Sequence, residues 1–310
     1  MRIAASLFAM SVLAAQEPAT FHSDVALVHA DFEVSDGTRI VTGLHKEDFS
    51  VRDNGQEQPI AHFSADEEPL DVILLFDISS SMRPSIAQIG ASAREALAEL
   101  HAADRVAVMT FETRSHLIAP LSSDLASVER NIEEDVVGGK FHGGTRLLAG
   151  VDDAAKYFLT QPKTQRRRAV LILTDNFGQR SRRASTVVHH LWEADSSLSG
   201  LIIRTAAGTA LNTAAMISNP AVGLLLQEGM QGVAEKTGGD TIKTSSGGQP
   251  GEEFREMMHR LRLRYSLYYV MPPVKPGEQR QVQITLTKDA LARFPAARVR
   301  SRKGYTAPRT

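Results

Sequence analysis

The pattern of hydrophobic and polar residues changes twice along this chain. From residue 24 to residue 34, apolar residues occupy the even positions Ala26 to Val34, and polar residues lie between most of them. A period of two is typical of a half-buried strand. Farther along, Asn54-Gly55 separates two short strand-like runs, and Asn-Gly supplies the positive φ angles that a tight hairpin turn requires. Residues 20–66 are therefore predicted to form short antiparallel strands.

After Pro69, short apolar runs alternate with segments whose apolar residues recur at helical spacing. The predicted strands are 71–77, 105–111, 116–120, 169–174, 198–204 and 241–243. The predicted helices are 84–101, 125–133, 145–159, 185–195, 222–236 and 251–263. No structure is predicted for the connection 205–221. Alternation of this kind implies a mostly parallel sheet with helices on both faces.

The period of two returns after Leu263. Alternating residues predict strands beginning at Tyr265 and near Val282, and a last strand at 298–302. The N-terminal strands are too few to bury a core alone, so we expect the C-terminal strands to pair with them. The predicted fold class is α/β: a doubly wound, mostly parallel sheet at residues 70–263 is inserted in a small antiparallel, β-sandwich-like domain. Residues 20–66 and 264–306 form that second domain.

Composition narrows the function classes. The chain has 310 residues, of which 42% are hydrophobic, and this apolar fraction supports a folded core. Its net charge of −1 gives no support for binding to nucleic acid or to an anionic membrane. It contains no cysteine, which excludes disulfides, thiol nucleophiles and thiolate metal sites. Oxygen-based ligand sites remain open.

The N-terminus indicates a compartment. Arg2 precedes an apolar stretch at residues 3–15, which is shorter than the roughly 20 residues that span a bilayer. The length and the small residues at its end are typical of a secretory signal peptide. We predict cleavage near Ala15, a secreted or periplasmic protein, and no transmembrane segment after cleavage. An uncleaved membrane anchor is the alternative.

Oxygen-bearing side chains follow three of the predicted elements. They are Asp77, Ser79 and Ser81 after the first buried strand, Thr145 after Gly143-Gly144, and Asp175 after the strand 169–174. Parallel strands place their carboxyl ends at one edge of a sheet, where such sheets bind ligands. Two carboxylates and three hydroxyls suit a hard cation such as Mg²⁺, which also leaves coordination positions for an external ligand.

These three loops together resemble the metal-ion-dependent adhesion site of von Willebrand factor A domains, over about residues 70–262. The flanking segments resemble the bacterial secreted VWFA-related group at Gly43-Leu44, Glu47-Asp48-Phe49, Tyr265-Ser266-Leu267 and Arg302-Lys303-Gly304-Tyr305. The resemblance implies that Ser79, Ser81 and Thr145 coordinate Mg²⁺ directly, with Mn²⁺ or Ca²⁺ as alternatives, while Asp77 and Asp175 act largely through water. It also implies a protein partner whose Asp or Glu completes the metal shell, and a last helix, 251–263, that shifts on binding.

Ser80 and Asn176 stand where the family commonly has glycine, and asparagine tolerates the left-handed conformation. Residues beside the three loops are candidates for contacts with the partner: Ser80, His142, Asn176, Arg180, Arg182 and Arg183. The arginines of this group are expected to attract an acidic surface. A second basic cluster, Arg166-Arg167-Arg168, is expected to be a solvated loop at the opposite end of the sheet.

An enzyme is the rival class. Phosphotransferases of the haloacid dehalogenase type need an acid where this chain has Ser79, and a phosphate loop needs a lysine where it has Gly144. His189-His190 is expected on a helix surface, where neighbours point in different directions. The leading prediction is a non-enzymatic, metal-dependent protein-binding or adhesion module. A metal-dependent hydrolase or phosphotransferase, or a scaffold whose site binds no metal, stays open.

Overall fold

A computed structural model describes residues 26–309, apart from residues 66, 142, 179–181, 206–209, 211–216, 218–219 and 245–249. The predicted signal peptide, residues 1–15, lies outside this part of the chain. Within the described residues, no helix combines the length and hydrophobicity needed to cross a membrane.

The first strands of the described chain confirm the predicted period of two. They are β1 (Leu27–Asp36), β2 (Arg39–Ile40), β3 (Phe49–Asp53), β4 (Gln56–Gln58) and β5 (Ile60–Ser64). In β1, the even-numbered residues Val28, Ala30 and Phe32 are buried. Asn54 and Gly55 join β3 to β4 with φ angles of +46° and +82°, as a two-residue hairpin turn requires.

Strands and helices alternate through the middle of the chain. They are β6 (Leu70–Asp77), α1 (Ile86–Leu97), β7 (Arg105–Phe111), β8 (Ser115–Ser122), α2 (Leu125–Asn131), α3 (Leu147–Thr160), β9 (Arg167–Thr174), α4 (Ala184–Glu193), β10 (Ser196–Ile202), α5 (Pro220–Thr237), β11 (Thr241–Lys243) and α6 (Pro250–Arg262). Helix α2 continues into a π-helical segment, Ile132–Val137.

The strands β6 to β11 form one sheet in the order β11-β10-β9-β6-β7-β8. All neighbours are parallel except β7 and β8. Helices α1 and α6 pack on one face, through residues such as Ile89 and Phe254, and α3, α4 and α5 pack on the other. Since β6 and β9 lie in the middle and are covered on both faces, every residue in them is buried. This arrangement confirms the doubly wound fold.

The C-terminal strands complete two antiparallel sheets that also contain N-terminal strands. The remaining elements are β12 (Tyr265–Val270), β13 (Gln279–Leu286), α7 (Lys288–Arg293), β14 (Ala297–Ser301) and β15 (Gly304–Thr306). One sheet has the order β14-β1-β12-β5, with β2 also paired to β1, and the other has the order β15-β13-β3-β4. The structure thus joins strands from both ends of the chain around one apolar core, as predicted.

The prediction of a solvated loop at Arg166-Arg167-Arg168 is wrong. Arg167 begins β9 and is 2% exposed, and Arg168 is 6% exposed. Burial is tolerated because each guanidinium has partners. Arg168 donates to the backbone oxygens of Phe158, Pro162 and Ala194. The cluster therefore stabilises the end of the sheet where β9 begins.

A buried carboxylate in β6 gives the fold a dependence on pH. Asp71 is fully buried, and its oxygens lie 2.6 Å from Arg105 Nη2 and 2.6 Å from Arg166 Nε. Burial alone would raise the pKa of Asp71, but the hydrogen bonds from Arg105 and Arg166 outweigh it and lower that pKa. The ionised carboxylate is therefore favoured in the folded state.

We expect the stability that Asp71 contributes to be fully present above its unfolded pKa of about 3.9 and to fall as pH drops through the lowered folded pKa. Urea unfolding of the wild type and of Asp71→Asn from pH 7 to pH 3 measures this contribution. The difference in unfolding free energy should be constant from pH 7 to pH 5 and shrink below pH 4. A difference that does not change with pH would contradict the assignment.

Candidate functional site

The candidate site begins where two central strands end side by side. In the parallel pair β6 and β9, Phe76 lies opposite Leu173, so the next residues, Asp77 and Thr174, are neighbours. Both are fully buried, and the Thr174 hydroxyl donates to Asp77 Oδ2 at 2.6 Å. The register of the sheet therefore fixes the carboxylate of Asp77.

The loop after β6 folds back on this carboxylate. The backbone N–H of Ser79 donates to Asp77 Oδ1 at 2.9 Å, and the hydroxyl oxygens of Ser79 and Ser81 lie 3.2 Å apart. Ser79 is buried. Ser80, in the place of a family glycine, is exposed and is not among the residues with positive φ. Serine at this position thus causes no left-handed backbone strain.

The loop after β9 is built in a similar way around Asp175. The N–H of Phe177 donates to Asp175 Oδ1 at 3.1 Å, and the Thr205 hydroxyl donates to Asp175 Oδ2 at 3.2 Å. Asn176 has a φ of +57°, in the left-handed region that asparagine tolerates. Its Oδ1 is buried without a hydrogen-bond partner among the described residues. An acceptor atom beside Asp175 is therefore left available.

The segment that carries Thr145 is held against both neighbouring loops. Thr145 is 6% exposed. The backbone N–H of the following residue, Arg146, donates to the backbone oxygen of Glu112 at 2.8 Å. A Cβ on Gly178 would lie only 2.9 Å from the Thr145 carbonyl oxygen. The chain after Asp175 therefore passes directly over Thr145, and only glycine permits this close approach.

A second contact ties the Thr145 loop to the Ser79 loop. The guanidinium of Arg83 lies over the ring of Phe141, 5.4 Å from its centroid, an arrangement in which the ring attracts the cation. Phe141 also packs against the core on the α1 side of the sheet. The structure thus brings all three predicted loops into contact at one edge.

Burial gives the site unusual electrostatics. Loss of solvent raises the pKa of Asp77 to about 7, although hydrogen bonds from Thr174 and Ser79 lower it, and the nearby charge of Asp175 raises it further. Two buried carboxylates that repel each other are stabilised by a cation or by a proton.

The spacing of the serine hydroxyls can be compared with that of metal ligands. Mg²⁺ with bonds near 2.1 Å places adjacent ligand oxygens about 3 Å apart, and the hydroxyl oxygens of Ser79 and Ser81 lie 3.2 Å apart. The donor set fits a hard cation.

Of the basic residues predicted to contact a partner, the structure describes Arg182 and Arg183, which lie just before α4. Arg182 is half exposed, with Nε 3.6 Å from Asp152 Oδ2, and Arg183 is exposed just before α4. His142 and Arg180 lie outside the described residues. Arg182 and Arg183 therefore present positive charge near the start of α4.

The paired histidines of α4 contact different elements. His190 Nδ1 lies 2.6 Å from Asp152 Oδ1, and His189 Nδ1 lies 2.9 Å from the Thr306 hydroxyl. One ring therefore contacts α3 and the other contacts β15. These separate contacts agree with the expectation that neighbouring helix residues point in different directions.

Two hydroxyl residues of the site were not predicted. Thr174 could have been identified from the expected parallel register, which places it beside Asp77. Thr205 lies in the connection for which the sequence predicts no structure, and no local signal marks it as a partner of Asp175. Both hydroxyls position a carboxylate.

Comparison with known proteins gives a family match and several similar solved structures. The family model described as von Willebrand factor type A domain matches residues 72–179. Protein BatB from Bacteroides thetaiotaomicron is 17% identical, with a TM-score of 0.47, and the alignment covers 62% of this chain and 98% of that chain. A von Willebrand factor type A protein from Catenulispora acidiphila is 14% identical, with a TM-score of 0.46 and coverage of 86% and 71%.

The pilus adhesin SpaC from Lactobacillus rhamnosus GG is 10% identical, with a TM-score of 0.48, and the alignment covers 84% of this chain and 48% of that chain. No curated protein matches the chain. Residues 72–179 of the family match extend from the strand that ends at Asp77 to the loop that follows Asp175. The chain contains a domain of the von Willebrand factor type A family.

Proposed function

We propose that this protein is an exported protein-binding module that captures an acidic side chain of a partner through a divalent cation. Mg²⁺, or Mn²⁺ or Ca²⁺ in its place, would be held by Asp77, Ser79, Ser81, Thr145 and Asp175. The observation that carries this proposal is the meeting of three oxygen-bearing loops at one edge, with two serine hydroxyls at the spacing of adjacent cation ligands. A protein-binding role also agrees with the family.

The chemistry of the donors explains why an acidic partner is favoured. In this arrangement Ser79, Ser81 and Thr145 are neutral direct ligands, and the carboxylates of Asp77 and Asp175 orient the site through hydrogen bonds. Neutral ligands leave much of the positive charge of the cation unbalanced, so a carboxylate from outside is attracted to it. The half-exposed Arg182 and exposed Arg183 add to that attraction.

The carboxylates have a second task in this proposal. Asp77 is held by Thr174 and by the Ser79 backbone, while Asp175 is held by Thr205 and by the Phe177 backbone. Carboxylates fixed in this way keep the hydroxyl ligands in place before the partner arrives, which lowers the entropy cost of binding. Removal of one carboxylate should therefore weaken binding without unfolding the domain.

Affinity capture from a native cell-envelope extract tests the proposal. The immobilised protein should retain a partner in 1 mM Mg²⁺ and release it into EDTA, and Asp77→Ala should retain little of it. Asp289→Asn is the matched control, because it removes an exposed carboxylate on α7, far along the chain from the site. It should capture as well as the wild type.

If the partner is retained equally in EDTA and by Asp77→Ala, that result would contradict metal-bridged binding and favour a scaffold without a metal. Turnover of a phosphoester or peptide substrate by the purified protein, lost in Asp77→Ala, would instead favour the hydrolase or phosphotransferase class. The circular dichroism of the variant must match the wild type for either conclusion.

A further inference from the structure

A second group of potential metal ligands lies far from Asp77. His29 and Asp31 lie on β1, and Glu68 lies just before β6. One ligand atom from each of these three side chains lies within 4.8 Å of the other two. Asp77 is at the opposite end of β6, whose eight residues span about 26 Å. The group, called here the His29 cluster, is therefore separate from the candidate adhesion site.

The spacing within the His29 cluster suits a small tetrahedral ion. His29 Nε2 and Asp31 Oδ1 are 3.3 Å apart. A Zn²⁺ ion with bonds of about 2.0–2.1 Å places neighbouring tetrahedral ligands about 3.3 Å apart. One edge of the coordination tetrahedron is thus already formed.

Two of the three ligand atoms make no hydrogen bond that meets normal geometry, although each has an oppositely charged group within 4 Å. His29 Nε2 and Glu68 Oε2 are buried and have no hydrogen bond within the described part of the structure. Buried polar atoms in proteins almost always have a partner, because an unmatched one costs the full desolvation penalty. Both atoms belong to the same group, so a single cation bound between them would satisfy both.

The surroundings hold the ligands as a metal site would. The other ring nitrogen of His29, Nδ1, lies 2.8 Å from Asp195 Oδ2, and Asp31 Oδ1 accepts hydrogen bonds from Arg167 Nε at 2.9 Å and Ser266 Oγ at 2.7 Å. Histidines that bind metals usually donate the second N–H to a carboxylate, which fixes the ring. The ring of Tyr268 also stacks on His29, with centroids 4.6 Å apart.

We propose that His29, Asp31 and Glu68 bind Zn²⁺, with water in the fourth position. One imidazole and two carboxylates favour zinc over Mg²⁺, which prefers an all-oxygen shell. The ion would join β1 of the antiparallel region to the segment that starts β6 of the parallel sheet. Arg167, whose Nη2 lies 3.9 Å from Glu68 Oε2, balances the negative charge in the absence of zinc and limits the affinity.

Titration of the purified full chain with ZnCl₂, followed by calorimetry, tests this proposal. The parent protein for this titration is Asp77→Asn, treated with chelator. Because this substitution weakens the candidate adhesion site, the zinc result does not depend on whether that site binds a cation. We expect one equivalent of zinc to bind and to raise the melting temperature. His29→Gln and Glu68→Gln, each added to the parent, should weaken binding by at least about 10-fold.

The controls are His62→Gln and Glu67→Gln, which remove an exposed imidazole and an exposed carboxylate close to the cluster. They should bind zinc as the parent does. The proposal is overturned if the parent binds no zinc, or if His29→Gln and Glu68→Gln both keep the parent affinity. Because Glu68→Gln retains size and polarity, it guards against a His29 variant that fails to fold.

Discussion

Replacing Arg167 with methionine is expected to lower the free energy of unfolding by about 3–5 kcal/mol, the usual cost of removing one partner from a buried ion pair. The Arg167 side chain is 2% exposed, and its Nε donates to Asp31 Oδ1 at 2.9 Å. Methionine has a similar volume but no donor. In the variant, the carboxylate of Asp31 would lose the charged hydrogen bond from the buried guanidinium.

The same guanidinium also completes the C-terminus of α6. It donates to the backbone oxygens of Leu261, Arg262 and Arg264 at 3.0–3.3 Å. The last carbonyls of a helix have no partner within the helix, so a buried helix end needs donors from elsewhere. Arg167 of β9 therefore ties the end of α6 to Asp31 of β1, and its loss would affect the parallel sheet and the antiparallel sheet that contains β1.

Urea unfolding at pH 7 in the presence of chelator measures this effect. Arg52→Met, which removes an exposed arginine from β3, should change stability by no more than about 0.5 kcal/mol. If Arg167→Met cost less than about 1 kcal/mol, the hydrogen bonds assigned to Arg167 would not be a major source of stability.

Asp77→Asn is expected to weaken the binding of Mn²⁺, used as a reporter for Mg²⁺, by about 10–100-fold, as is usual for residues that support metal ligands. Asparagine keeps an oxygen that can accept from Ser79 or Thr174 but removes the charge. Folding should be preserved, because a fully buried carboxylate is replaced by a neutral group of similar size.

Water-proton relaxation, titrated with Mn²⁺ and then with competing Mg²⁺, gives the affinity of each variant. Asp289→Asn should bind Mn²⁺ like the wild type, since its carboxylate is exposed on α7. Equal affinity in Asp77→Asn and the wild type would place the bound ion somewhere other than the candidate site.

Much of the fold could be predicted because its two central strands have no polar alternation. Each of β6 and β9 contains an uninterrupted run of five apolar residues, and both strands are covered on both faces of the sheet. Their ends mark Asp77 and Asp175, so the edge of the sheet that carries the candidate site followed from the strands alone. The binding of a cation there stays a prediction.

The remaining features depend on contacts between distant residues. Three consecutive arginines are typical of a solvated loop, and only the position of Asp31, 136 residues from Arg167 along the chain, makes one of them a buried ion-pair partner. Helix α7 and strand β15 have six and three residues, too few to produce a detectable period. Short elements of this kind are fixed by packing rather than by local pattern.

The central claim is that a divalent cation binds at the edge formed by Asp77, Thr145 and Asp175. Anomalous diffraction from crystals grown with MnCl₂ tests it most directly, because the scattering locates the ion without reference to activity. We predict an anomalous peak within about 2.5 Å of the hydroxyl oxygens of Ser79 and Ser81, and a clearly weaker peak in Asp77→Asn crystals grown at the same non-saturating MnCl₂ concentration. Saturating Mn²⁺ with no peak between these loops in the wild type would contradict the claim.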